Sequence, residues 1–221
     1  MVDTVITEDS SSTFFNKKFG EHYHSTYGAI RESRHIFIDA GLMFISHGKK
    51  EINILEMGFG TGLNAFLSCN YASANKIRIS YLGIEAFPID LKDAGKLNFP
   101  ELLETNPDIF LRMHGPEMKY EASEHFYFEK HIGKLEGTAL TPKHFDLVFF
   151  DAFSPGSQPE LWTKEIFMKI NKSLKTGGIL TSYSCKGFVK RNLKSSGFSI
   201  KKLPGPPGKR EFLRATKIEE A

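Results

Sequence analysis

Hydrophobic and polar positions along this chain change period several times, and each change predicts an element. Two short alternating runs, residues 3–7 (DTVIT) and 12–16 (STFFN), flank the turn-forming EDSS and predict a hairpin. Beyond them, Ile30, His35, Ile38, Leu42 and Ile45 recur three to five residues apart, as on one helix face. From residue 51 strands and helices alternate. INILEMGF reads as a buried strand and TGLNAFLSCNYAS as a helix; RISYLGIEAF is again a strand, and PIDLKDAGKLNF is helix-like. Residues 100–144 are hard to parse, with HFYFEKHI the best strand in them. FDLVFFDAF is a strand, and PELWTKEIFMKINKSLK is a helix with Pro159 near its start, stopped by TGG. GILTSYS, the basic helix KGFVKRNLKSS, and the strands FSIKKLP and EFLRATK follow.

This alternation predicts an α/β fold built on a mostly parallel sheet. The last two strands are joined only by GPPGKR, too short for a parallel crossover, so one of them runs antiparallel. The division expected is an N-terminal hairpin and helical lead-in over 1–48 and a Rossmann-like domain over 49–221.

Composition adds exclusions. With 221 residues, 40% hydrophobic and 25% charged, the chain can bury a real core. Two cysteines give neither a disulfide framework nor a zinc pattern. The first residues lack a signal-peptide pattern, and no run approaches the ~20 apolar residues of a membrane span. The expectation is a soluble cytoplasmic protein without a membrane partner. The net charge of +3 is unevenly spread: Lys186 to Lys217 holds ten Lys or Arg and one acid, Glu211. That is either a solvated surface or a face for nucleic-acid phosphates.

Two places carry candidate chemistry. LEMGFGTGLN sets Gly58, Gly60 and Gly62 between a strand and a helix, where free N–H groups meet a ligand. The alternative is a tight turn with no ligand. The spacing is G-x-G-x-G rather than the dinucleotide G-x-G-x-x-G, and Glu56 beside it would repel a pyrophosphate. An acid there suits a ligand with ammonium and sulfonium charges, the features of S-adenosylmethionine. Glu85 ends the next strand, placed either to accept ribose hydroxyls or simply to meet solvent. Asp151 ends a strand expected beside the glycine-rich one, so the two should face one crevice. Its carboxylate could orient an attacking amine, or merely cap the turn DAFSP. The HYH at 22–24 lacks a third ligand, and no metal is expected. GPPGKRE ends in Lys209 and Arg210, either a plain strand connection or a basic lip that meets phosphate.

GFGTGLN, FFDAFSPGSQPELW and LPGPPGKREFLRATK, with FGEHYHSTYGAIRESRHIFIDAGL, resemble the stand-alone tRNA 5-methylaminomethyl-2-thiouridine methyltransferases, the MnmD/MnmC methyltransferase-domain family. The resemblance covers nearly the whole chain and is weakest over 90–140. It implies a class I S-adenosylmethionine-dependent methyltransferase fold with a reversed final strand. It also implies a methyl acceptor, 5-aminomethyl-2-thiouridine, in a tRNA anticodon stem-loop, and no fused FAD oxidase domain. Asp151 becomes the catalytic candidate. Glu56, Gly58, Phe59, Gly60, Thr61, Gly62, Asn64, Glu85 and Asp151 are the cofactor candidates. Tyr23, Tyr27, Phe153, Lys209 and Arg210 are the substrate candidates. Two other readings stay open: a transferase acting on a small amine, and a non-catalytic RNA-binding module.

Overall fold

The computed structural model describes residues 2–219. A small antiparallel sheet comes first, made of β1 (Val2–Ile6), β2 (Ser12–Asn16) and β3 (Glu21–His22). Helix α1 (Ala29–Ser33), a π-helical stretch (Arg34–Met43) and α2 (Phe44–Ser46) form one continuous rod. Then come β4 (Glu51–Met57), α3 (Leu63–Asn75), β5 (Arg78–Glu85), α4 (Leu91–Ala94), α5 (Phe99–Leu102), α6 (Pro107–His114), β6 (Lys119–Ser123) and β7 (Phe126–Ile132). The chain continues through β8 (Phe145–Phe150), α7 (Lys164–Ser173), β9 (Leu174–Ser182), α8 (Gly187–Ser195), β10 (Phe198–Pro204) and β11 (Glu211–Lys217).

The main sheet has eight strands in the order β10-β11-β9-β8-β4-β5-β7-β6. β9, β8, β4, β5 and β7 pair in parallel, whereas β11 runs antiparallel to both β9 and β10. The expected reversed strand is therefore β11. Parallel strands covered on both faces read as continuous apolar runs, and all six residues of β8 are buried. Leu147 and Phe149 face the side covered by the N-terminal rod and α3; Val148 and Phe150 face Trp162 and Phe167 on the other. The twenty phenylalanines are mostly explained by these two layers. Phe14, Phe37, Phe66, Phe110 and Phe126 fill the first, with Phe150, Phe167 and Phe198 in the second. Phe14 of β2 belongs to the first layer, so residues 2–48 share the main core rather than merely leading into it.

Several expectations are corrected. The helix before β9 ends at Ser173 with no glycine: Leu174 is already extended. The TGG lies inside β9, where Gly177 at φ 73° accompanies a shift of register against β8. PIDLKDAGKLNF yields only the four residues of α4, capped by Asp90. The rod at 34–43 is π-helical, so its buried residues Ile36, Phe37, Ile38 and Leu42 form a wider stripe than an α-helical period gives. His35 sits at the rim, where Nε2 donates to the carbonyl of Pro204 at 2.8 Å. β6, α5 and α6 complete the part that defeated the periodicity.

Asp146 ties the lower end of the sheet together. Its buried carboxylate accepts from Lys49 Nζ and Lys175 Nζ, both at 2.7 Å, and from Asn53 N at 2.9 Å. Burial pushes this acid up, but the hydrogen bonds from Lys175, Lys49 and Asn53 outweigh it and hold the carboxyl below its ordinary value. A depressed folded pKa gives stability that is present above the unfolded value and lost as pH falls through the folded one. Asp146→Ala should destabilise by about 2 kcal/mol at pH 7, less than a fully enclosed pair because both lysines can return to water. Thermal melts of the variant and parent should converge as pH falls below about 4.

Candidate functional site

The carboxyl ends of β4, β5 and β8 open on a cavity of about 540 Å³, large enough for a nucleoside-sized ligand. β4 leads into a loop of left-handed glycines, with φ of 87° at Gly58, 51° at Gly60 and 74° at Gly62. At Gly58 a Cβ would sit 2.6 Å from the backbone oxygen of Asp151, and at Gly62 it would sit 2.9 Å from both Phe59 and His114. Only glycine satisfies both the conformation and the space. Gly58 N and Phe59 N donate to the carbonyl of Ile84, binding the loop to the end of β5.

Glu85, at the end of β5, lines the cavity. Its two oxygens accept from Gly60 N at 2.8 Å and Phe87 N at 2.7 Å. Each oxygen keeps a second acceptor position for ligand hydroxyls. Burial raises its pKa, against those backbone donors.

Asp151 lies one residue past β8 and lines the same cavity. Its N–H donates to the Met57 carbonyl at 2.9 Å, extending the β4–β8 pairing. Asn64, in the first turn of α3, is buried beneath the floor. Its Nδ2 donates at 2.9 Å to Asp151 Oδ2 and at 2.9 Å to Glu56 Oε1, so one amide bridges two carboxyl groups. Burial first, and the charge of Glu32 second, push Asp151 up to about 7, against the pull of Asn64 and Lys209. Burial drives Glu56 well above the carboxylate range, favouring its neutral form. Glu56 is fully buried and does not line the cavity. The repulsion of a pyrophosphate expected from it is therefore absent.

The other sequence candidates separate into cavity and scaffold. Tyr23 and Phe153 line the cavity with their rings 5.0 Å apart. Burial pushes the Tyr23 phenol up to about 12, and its oxygen accepts from Asn16 Nδ2. Phe59 points into the core against Phe128 and His114. Thr61 is buried with its hydroxyl on His24. Tyr27 is 45% exposed and packs on Gly208, outside the cavity. Arg210 is exposed. Lys209 turns inward instead of lying on an outer lip: its ammonium meets Glu32 Oε1 and lies 5.3 Å from the centre of the Tyr183 ring.

Further groups build the site, several of them through contacts remote in sequence. Glu21 of β3 accepts from Ser154 N at 3.0 Å, from Ser154 Oγ, and from Ser157 Oγ at 2.7 Å. Gln158 Oε1 accepts from Phe153 N, Tyr183 OH donates to the Ala152 carbonyl at 2.8 Å, and Trp162 Nε1 donates to the Phe153 carbonyl at 2.9 Å. Together they lock the loop after Asp151. Phe19 stacks on Phe153 at 4.4 Å and extends the aromatic wall. His24 is neutral, with burial pushing it down to about 4.

The C-terminal cations divide likewise. Lys217 is buried and donates to the carbonyls of Asn171 and Leu174. Arg214 donates to the Ala40 carbonyl and lies over Phe44, and Lys202 pairs with Glu211. Lys186, Arg191, Lys194, Lys201 and Arg210 are exposed. Among the described residues no helix is long and apolar enough to cross a membrane.

Comparison with known proteins agrees with this geometry. Residues 111–218 match the family described as S-adenosyl-L-methionine-dependent methyltransferase. The tRNA 5-methylaminomethyl-2-thiouridine biosynthesis bifunctional protein MnmC of Aeromonas hydrophila is 27% identical, aligned over 96% of this chain and 35% of its own length. Its namesake from Leptospira interrogans is 28% identical over 95% of this chain and 34% of its own. This chain thus spans about a third of the length of the curated relatives it matches. The crystal structure of MNMC2 from Aquifex aeolicus superposes with a TM-score of 0.79 at 27% identity, covering 100% of this chain and 71% of that one. The fold is that of a class I S-adenosylmethionine-dependent methyltransferase, and S-adenosylmethionine is the cofactor. Within that class the chain is a relative of the methyltransferase domain of the MnmC proteins.

The residues present fit that cofactor. Glu85 offers acceptors to hydroxyls, and the glycine loop lets backbone approach closely. Asn64 Oδ1 is a buried acceptor with no hydrogen-bond partner among the described residues. Gly58→Ala should weaken S-adenosylmethionine binding by about tenfold or more in calorimetry, because strain at a positive φ and a backbone clash act together. Unchanged affinity would remove the glycine loop from the binding site.

Proposed function

We propose that this protein methylates the primary amine of 5-aminomethyl-2-thiouridine at the wobble position of tRNA, in the cytoplasm. The observation that carries this reading is Asp151. It is a carboxyl group with a pKa near 7, held by Asn64 at the floor of a cavity walled by Tyr23, Phe153 and Phe19. The names of the MnmC relatives supply the substrate class.

S-adenosylmethionine, when bound, supplies an electrophilic methyl group on a sulfonium. The protein prepares the nucleophile. Asp151 accepts a proton from the substrate ammonium, leaving a neutral amine with a free electron pair aimed along the cavity. A carboxyl with a pKa near 7 can take that proton and return it to water. The uracil ring must leave its stack to enter, and the Tyr23, Phe153 and Phe19 rings provide a new one. Lys186, Arg191, Lys194 and Arg210 are exposed and would meet backbone phosphates in this reading. The salt dependence of binding separates this reading from a transferase of small amines. The KM for tRNA should rise by about tenfold or more between roughly 50 and 200 mM salt, and a flat response would favour a small substrate.

The direct test is incubation of the purified protein with S-adenosylmethionine and tRNA bearing 5-aminomethyl-2-thiouridine, followed by nucleoside mass spectrometry. Conversion to the 5-methylaminomethyl form is expected, and an unaltered nucleoside profile would overturn the proposal.

Two consequences belong to Asp151. The rate should rise with pH through about 7 as its carboxyl ionises. Asp151→Asn should lower turnover by about a hundredfold or more while cofactor affinity stays within about threefold. Stability should move the other way. A raised folded pKa means the native state binds more protons than the unfolded chain between about 4 and 7, so parent stability falls as pH rises through that window. Asp151→Asn removes this penalty and should melt higher than the parent at pH 8 but not at pH 4. Near-normal turnover in the variant would end the catalytic assignment.

A further inference from the structure

The N-terminal rod delivers a second carboxylate to the cavity. Glu32, on α1, is 8% exposed and lines the same space as Asp151. Its Oε2 is fixed by Ser25 N at 2.8 Å. Its Oε1 meets the ammonium of Lys209, which reaches in from the loop between β10 and β11 and rests against the Tyr183 ring. Tyr183 in turn donates to the carbonyl of Ala152, the residue after Asp151. A primary ammonium therefore already stands on Glu32, in the cavity that Asp151 also lines and within electrostatic reach of it.

We propose that Glu32 is a substrate-recognition residue, whose carboxylate binds the ammonium of the acceptor amine at the position that Lys209 fills in the free protein. This deepens the reading above and rests on it. Glu32 and Asp151 are like charges that share a partly dry space. A cation between them relieves their repulsion, and a neutral group of the same shape does not. Lys209 performs that service on its own flexible stem, which can swing to water or to a phosphate when a ligand cation arrives. The groups around the pair do not compete for this role. His24 is buried and neutral, and Asp9 is held by Thr7, Ser11 and Arg31 N. Glu21 is taken by Ser154 and Ser157. The division of labour that results has Glu32 choosing the charged amine and Asp151 taking its proton.

The test needs no turnover. Protein saturated with S-adenosylhomocysteine is titrated by calorimetry with 5-aminomethyluridine and, separately, with 5-hydroxymethyluridine. The parent should prefer the amine by about tenfold or more. Glu32→Gln should reduce that preference to within about threefold, and Glu32→Asp should restore part of it. Lys209→Met should shift it the opposite way, increasing the preference because the resident ammonium is gone. That variant also serves as the test if Glu32→Gln does not fold, as judged by its circular dichroism melt. The proposal is overturned if the parent shows no preference, if folded Glu32→Gln keeps it, or if Lys209→Met lowers it. A parent that prefers the amine yet leaves tRNA unmethylated would sustain the cation site and sink the tRNA reading, so the two failures can be told apart.

Discussion

The site depends on one close approach: the parallel pairing of β4 with β8 carried one residue beyond the end of each strand. Asp151 N–H reaches the Met57 carbonyl, and the Asp151 carbonyl lies where a side chain at position 58 would be. No residue but glycine can stand there. The turn it permits sends the chain into α3, whose first turn puts Asn64 under both strand ends. Asn64 then reaches Asp151 with one amide hydrogen and Glu56 with the other. Glycine loop, bridging amide and the placing of the Asp151 carboxyl are thus consequences of a single backbone contact.

The stiffness of DAFSPGSQPELW has a similar origin. A carboxylate pushed to a pKa near 7 is useful only if it cannot swing out to water, where it would return to its ordinary value. The loop that follows it is therefore bound from three sides. Glu21 holds Ser154 and Ser157 from the small sheet, Tyr183 holds Ala152 from β9, and Trp162 with Gln158 holds Phe153 from the loop itself. Trp162 is fully buried and is itself held through its carbonyl by Asn192 of α8. Residues 2–48 thereby become a working wall of the site.

What could be read in the sequence follows from how local each signal is. Strands β4, β5, β8, β9, β10 and β11 were legible because buried strands need runs of apolar residues, and Gly58 and Asp151 because they punctuate those runs. That one of the last two strands runs antiparallel was legible from loop length, and the family resemblance implied that it is the final one. The register shift at Gly177 was not, since a glycine after a helix reads as a stop whether or not it lies in a strand. The π-helical rod escaped for the same reason: its contacts suit a period slightly longer than the α-helical one, and the two patterns overlap over ten residues. Glu32, Glu21 and Tyr183 left no local trace. Each acts on residues over 30 positions away, and only the folded chain makes them neighbours. Motif membership likewise did not give direction: Phe59 and Thr61 lie in the glycine-rich stretch yet face the core, and Lys209 turns inward while Arg210 faces out.

Electrostatics joins these parts. Glu85 is occupied by backbone donors, Glu21 by serines and Glu32 by an ammonium, whereas Asp151 has a single amide donor among the described residues. A buried carboxyl with one donor gains much from a proton or a cation, and burial with the charge of Glu32 pushes Asp151 up to about 7. Glu56 goes further: with one amide donor, complete burial and no opening to the cavity, it favours the neutral form and acts as a prop. Two acids linked by one asparagine are therefore driven apart by their different surroundings, with Glu32 and Lys209 acting on Asp151 as well as burial. The one facing the ligand is left able to trade a proton at neutral pH, and the one behind it fixes where that exchange takes place.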